Sequence, residues 1–521
     1  MRTRNFAFCL ALFAVVFIVT PYSQAIPAFS RQYGTSCTTC HIDFPKLNDF
    51  GKAFKDAGFK FPKNDEDFIK VPPVMLGAPA QKELFPHVIW PGTIPGLPQV
   101  GLRFNQYFQY TGSSANNYYN ALNLPGTVPG QPLPPGIPRT DFEPGFFSIF
   151  MAGNFGSDIA FWVDDDLSVS GENANGSLGD GYLRFVNIGR FLKLPTDSLT
   201  LRVGQFELDL PFTQARSINI SPYDIYSEAN IGSSTQNVNN VFSFLDVGHG
   251  VELSGGHQYK GYHYSLAIID QNTSGATSSA TNVPSPTGGQ PNAPGVGFFS
   301  DSNFKDLYLN FSYRFNLEKD SASRNEIQAA GPSGPRDHTY LSLGTYYFYG
   351  RSAQRFSGFA SDGETPTAIT AHEPFYRVGG DFSFNYRTFN LFGLYMYGHD
   401  NDILLNSGFT GFVSGTPAKF NGGFLQADYL ALPWLMAIMR WDRVQSSADF
   451  LNQIGSVNYF SPTGTTRDRV TPGVQFLIHA NIKASFEYQY RPQQALAYDA
   501  NGNAINPFRT NTAVAGLEFV Y

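Results

Sequence analysis

The chain has 521 residues, with 35 Lys and Arg against 42 Asp and Glu and a formal net charge of −7. That balance excludes nucleic acid as a natural partner, because phosphate backbones are held by basic surfaces. Aromatic residues (16%) outnumber charged ones (15%), yet mean hydropathy is only −0.20. A membrane-spanning barrel gives this average, because lipid-facing apolar residues alternate with polar residues facing the lumen. A soluble all-β domain would share the alternation, and is disfavoured by the aromatic load and the low charge.

In chain order, the first element reads as an export leader. Arg2 and Arg4 precede an apolar run over residues 6–19, and Ser23-Gln24-Ala25 offers small residues at a cleavage site. The run falls short of the ~20 apolar residues that span a bilayer. Residues 1–25 are therefore expected to be a signal peptide, with Ile26 as the mature start. No later segment reads as a transmembrane helix.

Residues 26–98 form a small unit that ends in the proline-punctuated stretch Trp90-Pro91-Gly92-Thr93-Ile94-Pro95-Gly96-Leu97-Pro98. Three cysteines occur, Cys9 in the leader and Cys37 and Cys40 in this unit. Cys37-Thr38-Thr39-Cys40-His41 has the spacing of c-type haem attachment. Two thiols three positions apart can add to the two vinyl groups of one haem, and the following histidine is then held beside the iron as an axial ligand. A zinc site needs further ligands at close spacing, and none follows. A thiol redox pair needs a βαβ context, which is absent. One covalent haem c on Cys37 and Cys40, with His41 on its iron, is the expectation. The sixth ligand is left open between Met75, which follows Pro72-Pro73-Val74, and His87. Leu47, Phe50 and Phe54 recur on one helical face, with Pro45 in the expected first turn and Gly58 at the expected C-terminal cap. So short a unit cannot bury enough surface alone. Haem would supply the missing core, with Phe29, Phe44, Phe50 and Phe54 packed around it.

Residues 99–521 read as the barrel. Leu307, Leu309, Phe311, Tyr313 and Phe315 alternate with Tyr308, Asn310, Ser312 and Arg314. The pattern recurs from Leu341 to Tyr349, from Val378 through a turn at Arg387-Thr388 to Tyr397, and from Ile482 to Tyr490. Aromatic strand ends fit an interfacial girdle, and ~10 residues per strand plus turns leaves room for roughly 16 antiparallel strands. Polar connections at 125–138, 271–295 and 316–337 are expected outside the cell, where barrels carry their long loops. His249, His257 and His263 fall in one hairpin, and Asp164-Asp165-Asp166 reads as a solvated turn. Neither group reads as a metal site.

Barrel and haem together point to one function. The hydrocarbon layer is ~25–30 Å thick, and a single haem on one face would not reach partners on both sides. A barrel of this size has a lumen in which the small unit can sit as a plug. Electron transfer across the membrane is the expectation. A solute porin using haem as a structural staple is the alternative. A haem peroxidase ranks last, since no distal His/Arg pair is evident.

Ala28-Phe29-Ser30-Arg31-Gln32, the CxxCH motif, and Phe44-Pro45-Lys46-Leu47-Asn48-Asp49-Phe50-Gly51-Lys52-Ala53-Phe54 resemble the N-terminus of the fused monohaem outer-membrane cytochrome–porins of iron-oxidising and other Gram-negative bacteria. The stretch from Arg202 to Phe212 is similar to their barrels, and the alternating terminal strand ending at Tyr521 resembles an outer-membrane assembly signal. The resemblance implies an outer-membrane location among lipid, a periplasmic electron carrier as partner, and an extracellular donor or acceptor. Fe(II)-oxidising activity is among its implications. By residue it carries over only Cys37, Cys40 and His41.

Overall fold

A computed structural model describes residues 28–62, 65–70, 74–75, 79–84, 93–94, 99–111, 139–143, 146–155, 158–168, 177–213, 217–227, 248–270, 304–317, 339–359, 366–401, 403–405, 412–414, 418–446, 453–454, 457–458, 466–491, 497–498, 504–505 and 511–521. The signal peptide, His87 and the loops at 125–138 and 271–295 lie outside them.

Sixteen antiparallel strands close on themselves. They are β1 (Gln99–Thr111), β2 (Arg139–Glu143 continued by Phe146–Phe155), β3 (Ile159–Ser168), β4 (Ser177–Phe185), β5 (Thr200–Phe206), β6 (Gly248–His257), β7 (Lys260–Asp270) and β8 (Asp306–Asn316). The ring continues through β9 (Tyr340–Phe359), β10 (Pro366–Tyr386), β11 (Phe389–Asp400), β12 (Ala418–Leu432), β13 (Leu435–Ser446), β14 (Thr466–His479), β15 (Ile482–Gln489) and β16 (Thr512–Val520). The two parts of β2 pair with successive halves of β1 and count as one interrupted strand. Pairing of β16 with β1 shuts the ring and leaves no edge.

Period-two alternation decides which way each side chain faces. On β8, Phe311 is 49% exposed while Tyr308 is fully buried. Leu309, Tyr313 and Phe315 share the exposed face, and Asp306 and Arg314 share the buried one. Phe486, Tyr488 and Tyr490 repeat the outward apolar set. A closed sheet with an apolar exterior and a polar interior satisfies every strand hydrogen bond internally, which is the requirement for crossing lipid. The protein is a membrane-spanning barrel of the outer-membrane type. Among the described residues no helix is long and apolar enough to cross a membrane.

The two ends of the barrel differ. Two-residue turns at Gln258-Tyr259, Arg387-Thr388, Pro433-Trp434 and Ala480-Asn481 lie on one end, which by the rule for outer-membrane barrels is periplasmic. The connections containing 125–138 and 271–295 leave from the other end, as expected. The expected loop at 316–337 does not: Asn316 ends β8, and strand order puts the connection from β8 to β9 on the short-turn end, so loop length alone misled. Asp164, Asp165 and Asp166 are also not in a turn but within β3.

Candidate functional site: the cysteine–histidine segment and its cavity

The N-terminal unit is built from short elements. Helix α1 (Ala28–Tyr33) leads into a single 3-10 turn at Cys37–Thr39. A ribbon of His41–Asp43 against Lys46–Leu47 follows, then helix α2 (Asp49–Asp56). Pro45 therefore sits in the ribbon's turn and not in the helix. Asn48 is the N-cap: its side chain accepts from the Gly51 amide at 2.8 Å and donates to the Thr39 carbonyl at 3.0 Å. Gly58 (φ +79°) ends the helix as expected, with the Phe59 amide bonded back to the Phe54 carbonyl at 2.9 Å and that of Gly58 to Lys55 at 3.1 Å. Gly51 lies so close to the cysteine turn that a β-carbon there would clash with the Cys40 carbonyl oxygen. The cap and this close approach fix α2 against the cysteine turn.

Phe54, Phe59, Phe61 and Tyr33 are buried together with Ala152 and Ala160 of the barrel, and Phe29 and Phe50 pack against them. Three of the four expected packing residues are in this cluster. The fourth, Phe44, lies outside the cluster but lines the same cavity as the cysteines, meeting the His41 ring at 5.4 Å beneath the Arg103 guanidinium.

Polar contacts tie the unit to strands all round the ring. Asp49 forms a two-pronged pair with Arg314 of β8 at 2.6 and 2.7 Å. Lys46 bridges Asn390 of β11 at 3.0 Å and Asp428 of β12 at 2.8 Å. Lys483 of β15 donates to the Phe44 carbonyl, and Arg184 of β4 to that of Lys55. Phe59 packs on Trp162 of β3 at 5.4 Å. Arg314, Asn390, Lys483 and Arg184 stand within two residues of strand ends on the short-turn side.

A second inward element was not legible in the sequence. After β5 the chain turns into the barrel as a strap, described over 207–213 and 217–227. Asp209 accepts through its carbonyl from Tyr308 at 2.8 Å and Asn310 at 2.7 Å. Asn219 bonds Gln426 at 2.7 Å, and the amides of Ile220 and Ser221 bond Glu487 at 2.6 and 3.0 Å. Arg440 holds the Ser221 carbonyl at 3.0 Å and Asp442 at 2.8 Å, and Arg469 pairs with Asp224 at 2.8 Å. The signal that could have found the strap is the break in alternation at Leu208-Asp209-Leu210-Pro211-Phe212.

Between the N-terminal unit and the strap lies a cavity of about 1050 Å³. Cys37, Cys40 and His41 all line it, with Phe29, Phe50 and Phe54 on one side and Leu210, Phe212 and Tyr223 of the strap also on its wall. That volume is at the upper end of the roughly 300–1,000 Å³ typical of ligand sites. Both thiols are free, and burial raises them, Cys40 to about 12 and Cys37 in the same direction. A thioether carries no charge and suits a buried, apolar position. Burial holds His41 neutral, its pKa lowered to about 4, and its Nδ1 is engaged by the Pro45 carbonyl at 3.1 Å. That contact selects the tautomer with a bare Nε2, the form that ligates a metal. The residues present fit a covalent haem. Among the described residues no cluster of three or more His, Cys, Asp or Glu could hold a separate metal ion.

The other sequence candidates are not brought together. His249 is exposed, His257 lies 3.9 Å from Asp197 with its ring against Tyr259, and His263 is buried on the lumen side against Asp209. Met75 lies in a two-residue ribbon with Thr93, and its side chain, like His87, lies outside what the structure describes.

No protein-family model matches the chain, and no curated protein matches it. Similar solved structures include an anion-selective porin from Comamonas acidovorans, at 10% identity and a TM-score of 0.44, covering 81% of this chain and 99% of that one. The outer-membrane channel DcaP of Acinetobacter baumannii aligns at 12% identity and a TM-score of 0.42, over 81% and 97% of the two chains. OprB of Pseudomonas putida aligns at 10% and 0.43, over 81% and 94%. The barrel assignment rests on this chain's own strand pairing and apolar exterior.

Proposed function

We propose that the N-terminal unit is a monohaem c-type cytochrome that plugs the barrel, and that the protein carries electrons one at a time across the outer membrane. The observation that carries this reading is that Cys37, Cys40 and His41 face one cavity inside the barrel, walled by aromatic side chains of the N-terminal unit and by a mixture of apolar and charged side chains of the strap and strands. Cys37 and Cys40 would hold the haem through thioethers and His41 would ligate its iron. A haem so bound supplies a one-electron iron couple. The chain's own residues do the rest. The Pro45 carbonyl keeps His41 in the ligating tautomer and orients its ring. Phe29, Phe50, Phe54 and the strap's Phe212 exclude water, which favours a small rearrangement on electron gain or loss. The ion pairs of Lys46 and Asp49 with the wall hold the unit in the lumen, so that the site is reachable from both aqueous sides of a layer ~25 Å thick.

On this reading a periplasmic carrier exchanges electrons at the short-turn end and an extracellular donor or acceptor at the other. Extracellular Fe(II) as donor follows from the sequence resemblance. The purified protein is expected to give a pyridine haemochrome spectrum of the c type with one haem per chain, and to show little steady conductance in a planar bilayer. A colourless protein would refute the proposal. A haem-bearing protein with a large, steady pore would favour the solute porin with haem as a staple.

A further inference from the structure

We propose, resting on the haem reading above, that His263 of the barrel wall is the second axial ligand of the haem held by Cys37, Cys40 and His41. The plug would then be locked to the barrel through the iron.

Three observations converge on this residue. His263 lines the same cavity as the cysteines and His41. It is 8% exposed, and its ring is already arranged as a metal ligand is: Nε2 bonds the Asp209 carboxylate at 2.6 Å, while Nδ1 is buried without a hydrogen-bond partner. Ligating histidines commonly give their second ring nitrogen to a carboxylate, which fixes the tautomer and raises the basicity of the other nitrogen. With Nε2 held by Asp209, the unpartnered Nδ1 is the nitrogen left to face the iron.

The position in the ring agrees. In register, His263 on β7 sits between Gly256 of β6 and Ser312 of β8. Helix α2 of the plug contacts β6 and is paired through Asp49 to Arg314 on β8. The strand carrying His263 is thus flanked by the two strands that the plug touches on that side. Asp209, its carboxylate partner, belongs to the strap and is anchored through its own carbonyl by Tyr308 and Asn310. Asp209 is therefore a positioning residue.

The test uses the purified full-length holoprotein, with near-infrared magnetic circular dichroism and electron paramagnetic resonance of the oxidised state. Wild type is expected to be low-spin with two imidazole ligands. His263→Ala should lose that signature and become high-spin, and added imidazole should restore it. His263→Met should give a methionine–histidine signature and a more positive reduction potential. Asp209→Asn should stay low-spin but shift the potential upward, because the imidazole becomes less basic. Should His263→Ala fail to fold, His263→Met, which keeps a ligand of similar bulk, decides the matter. An unchanged bis-imidazole spectrum in either His263 variant, or its loss in His87→Ala instead, would overturn the inference and leave the haem reading standing. A histidine–methionine signature in wild type that is lost in Met75→Ala would overturn it likewise. A wild-type protein without haem would overturn the parent reading itself.

Discussion

Removing the Asp49 carboxylate tests how the N-terminal unit is held. Arg314, its partner, has a side chain only 3% exposed, while Asp49 is 18% exposed. The guanidinium also lies 3.5 Å from the centre of the Tyr340 ring. Breaking a buried ion pair from one side strands the other charge at a cost of about 3–5 kcal/mol. Partial exposure of Asp49 puts this pair at or below the low end, about 2–3 kcal/mol, including the loss of an acid from the first turn of α2. At about 1.4 kcal/mol per factor of ten, release of the unit from the wall should become roughly 30- to 150-fold more frequent in Asp49→Ala. Limited proteolysis of the purified protein in detergent reads this directly, since cleavage tracks the population of the open form when opening is fast. The cut is expected within residues 28–62, with the barrel intact on a gel. The double exchange Asp49→Arg with Arg314→Asp should recover part of the protection. Cleavage of Asp49→Ala no faster than wild type would refute the claim that this pair holds the unit.

Gly51→Ala should weaken attachment of α2 to the cysteine turn, because the new methyl meets the Cys40 carbonyl and overpacking of this kind costs about 1–3 kcal/mol. Haem content per barrel is the readout, and an undiminished content would count against that packing. Cys40→Ala should leave a haem joined through Cys37 alone, seen as a red-shifted pyridine haemochrome, and Cys37→Ala with Cys40→Ala should leave none that survives acidified acetone. Arg440→Ala deprives the strap of its bonds to the Ser221 carbonyl and hydroxyl, and leaves the buried Asp442 with Arg469. Hydrogen exchange at the Ile220 and Ser221 amides should then speed up by about a hundredfold, given about 3 kcal/mol for a broken buried pair. Unchanged exchange would mean that the strap is anchored there without Arg440.

The barrel was legible because its physics is periodic. Alternation at Leu307 to Phe315 and at Ile482 to Tyr490 gave both the strands and the faces they turn to lipid, and chain length bounded their number. The cysteine–histidine motif was legible because its chemistry fixes spacing within five consecutive residues. Local capping was partly so: Gly58 ends α2 as read, whereas the N-cap role of Asn48 was overlooked in favour of Pro45. What the sequence could not reveal depends on pairing between distant residues. Asp49 and Arg314 are 265 positions apart, and nothing local marks either as the other's partner. His263 looked like one of three histidines in a hairpin, and only closure of the barrel sorted the lumen-facing one from its exposed and half-buried neighbours. Asp164 to Asp166 read as a turn because consecutive carboxylates suit solvent, while in the closed sheet Asp164 turns back to accept from Trp162 at 3.1 Å.

Electron passage through the closed barrel is tested most directly in sealed vesicles. The holoprotein is reconstituted into liposomes that enclose a membrane-impermeant oxidant dye, and a membrane-impermeant reductant is added outside. The proposal predicts reduction of the enclosed dye, at a rate that falls to that of protein-free vesicles in Cys37→Ala with Cys40→Ala, without leakage of a small enclosed solute. Dye that stays oxidised with wild-type protein, or is reduced equally well by the haem-free variant, would contradict it.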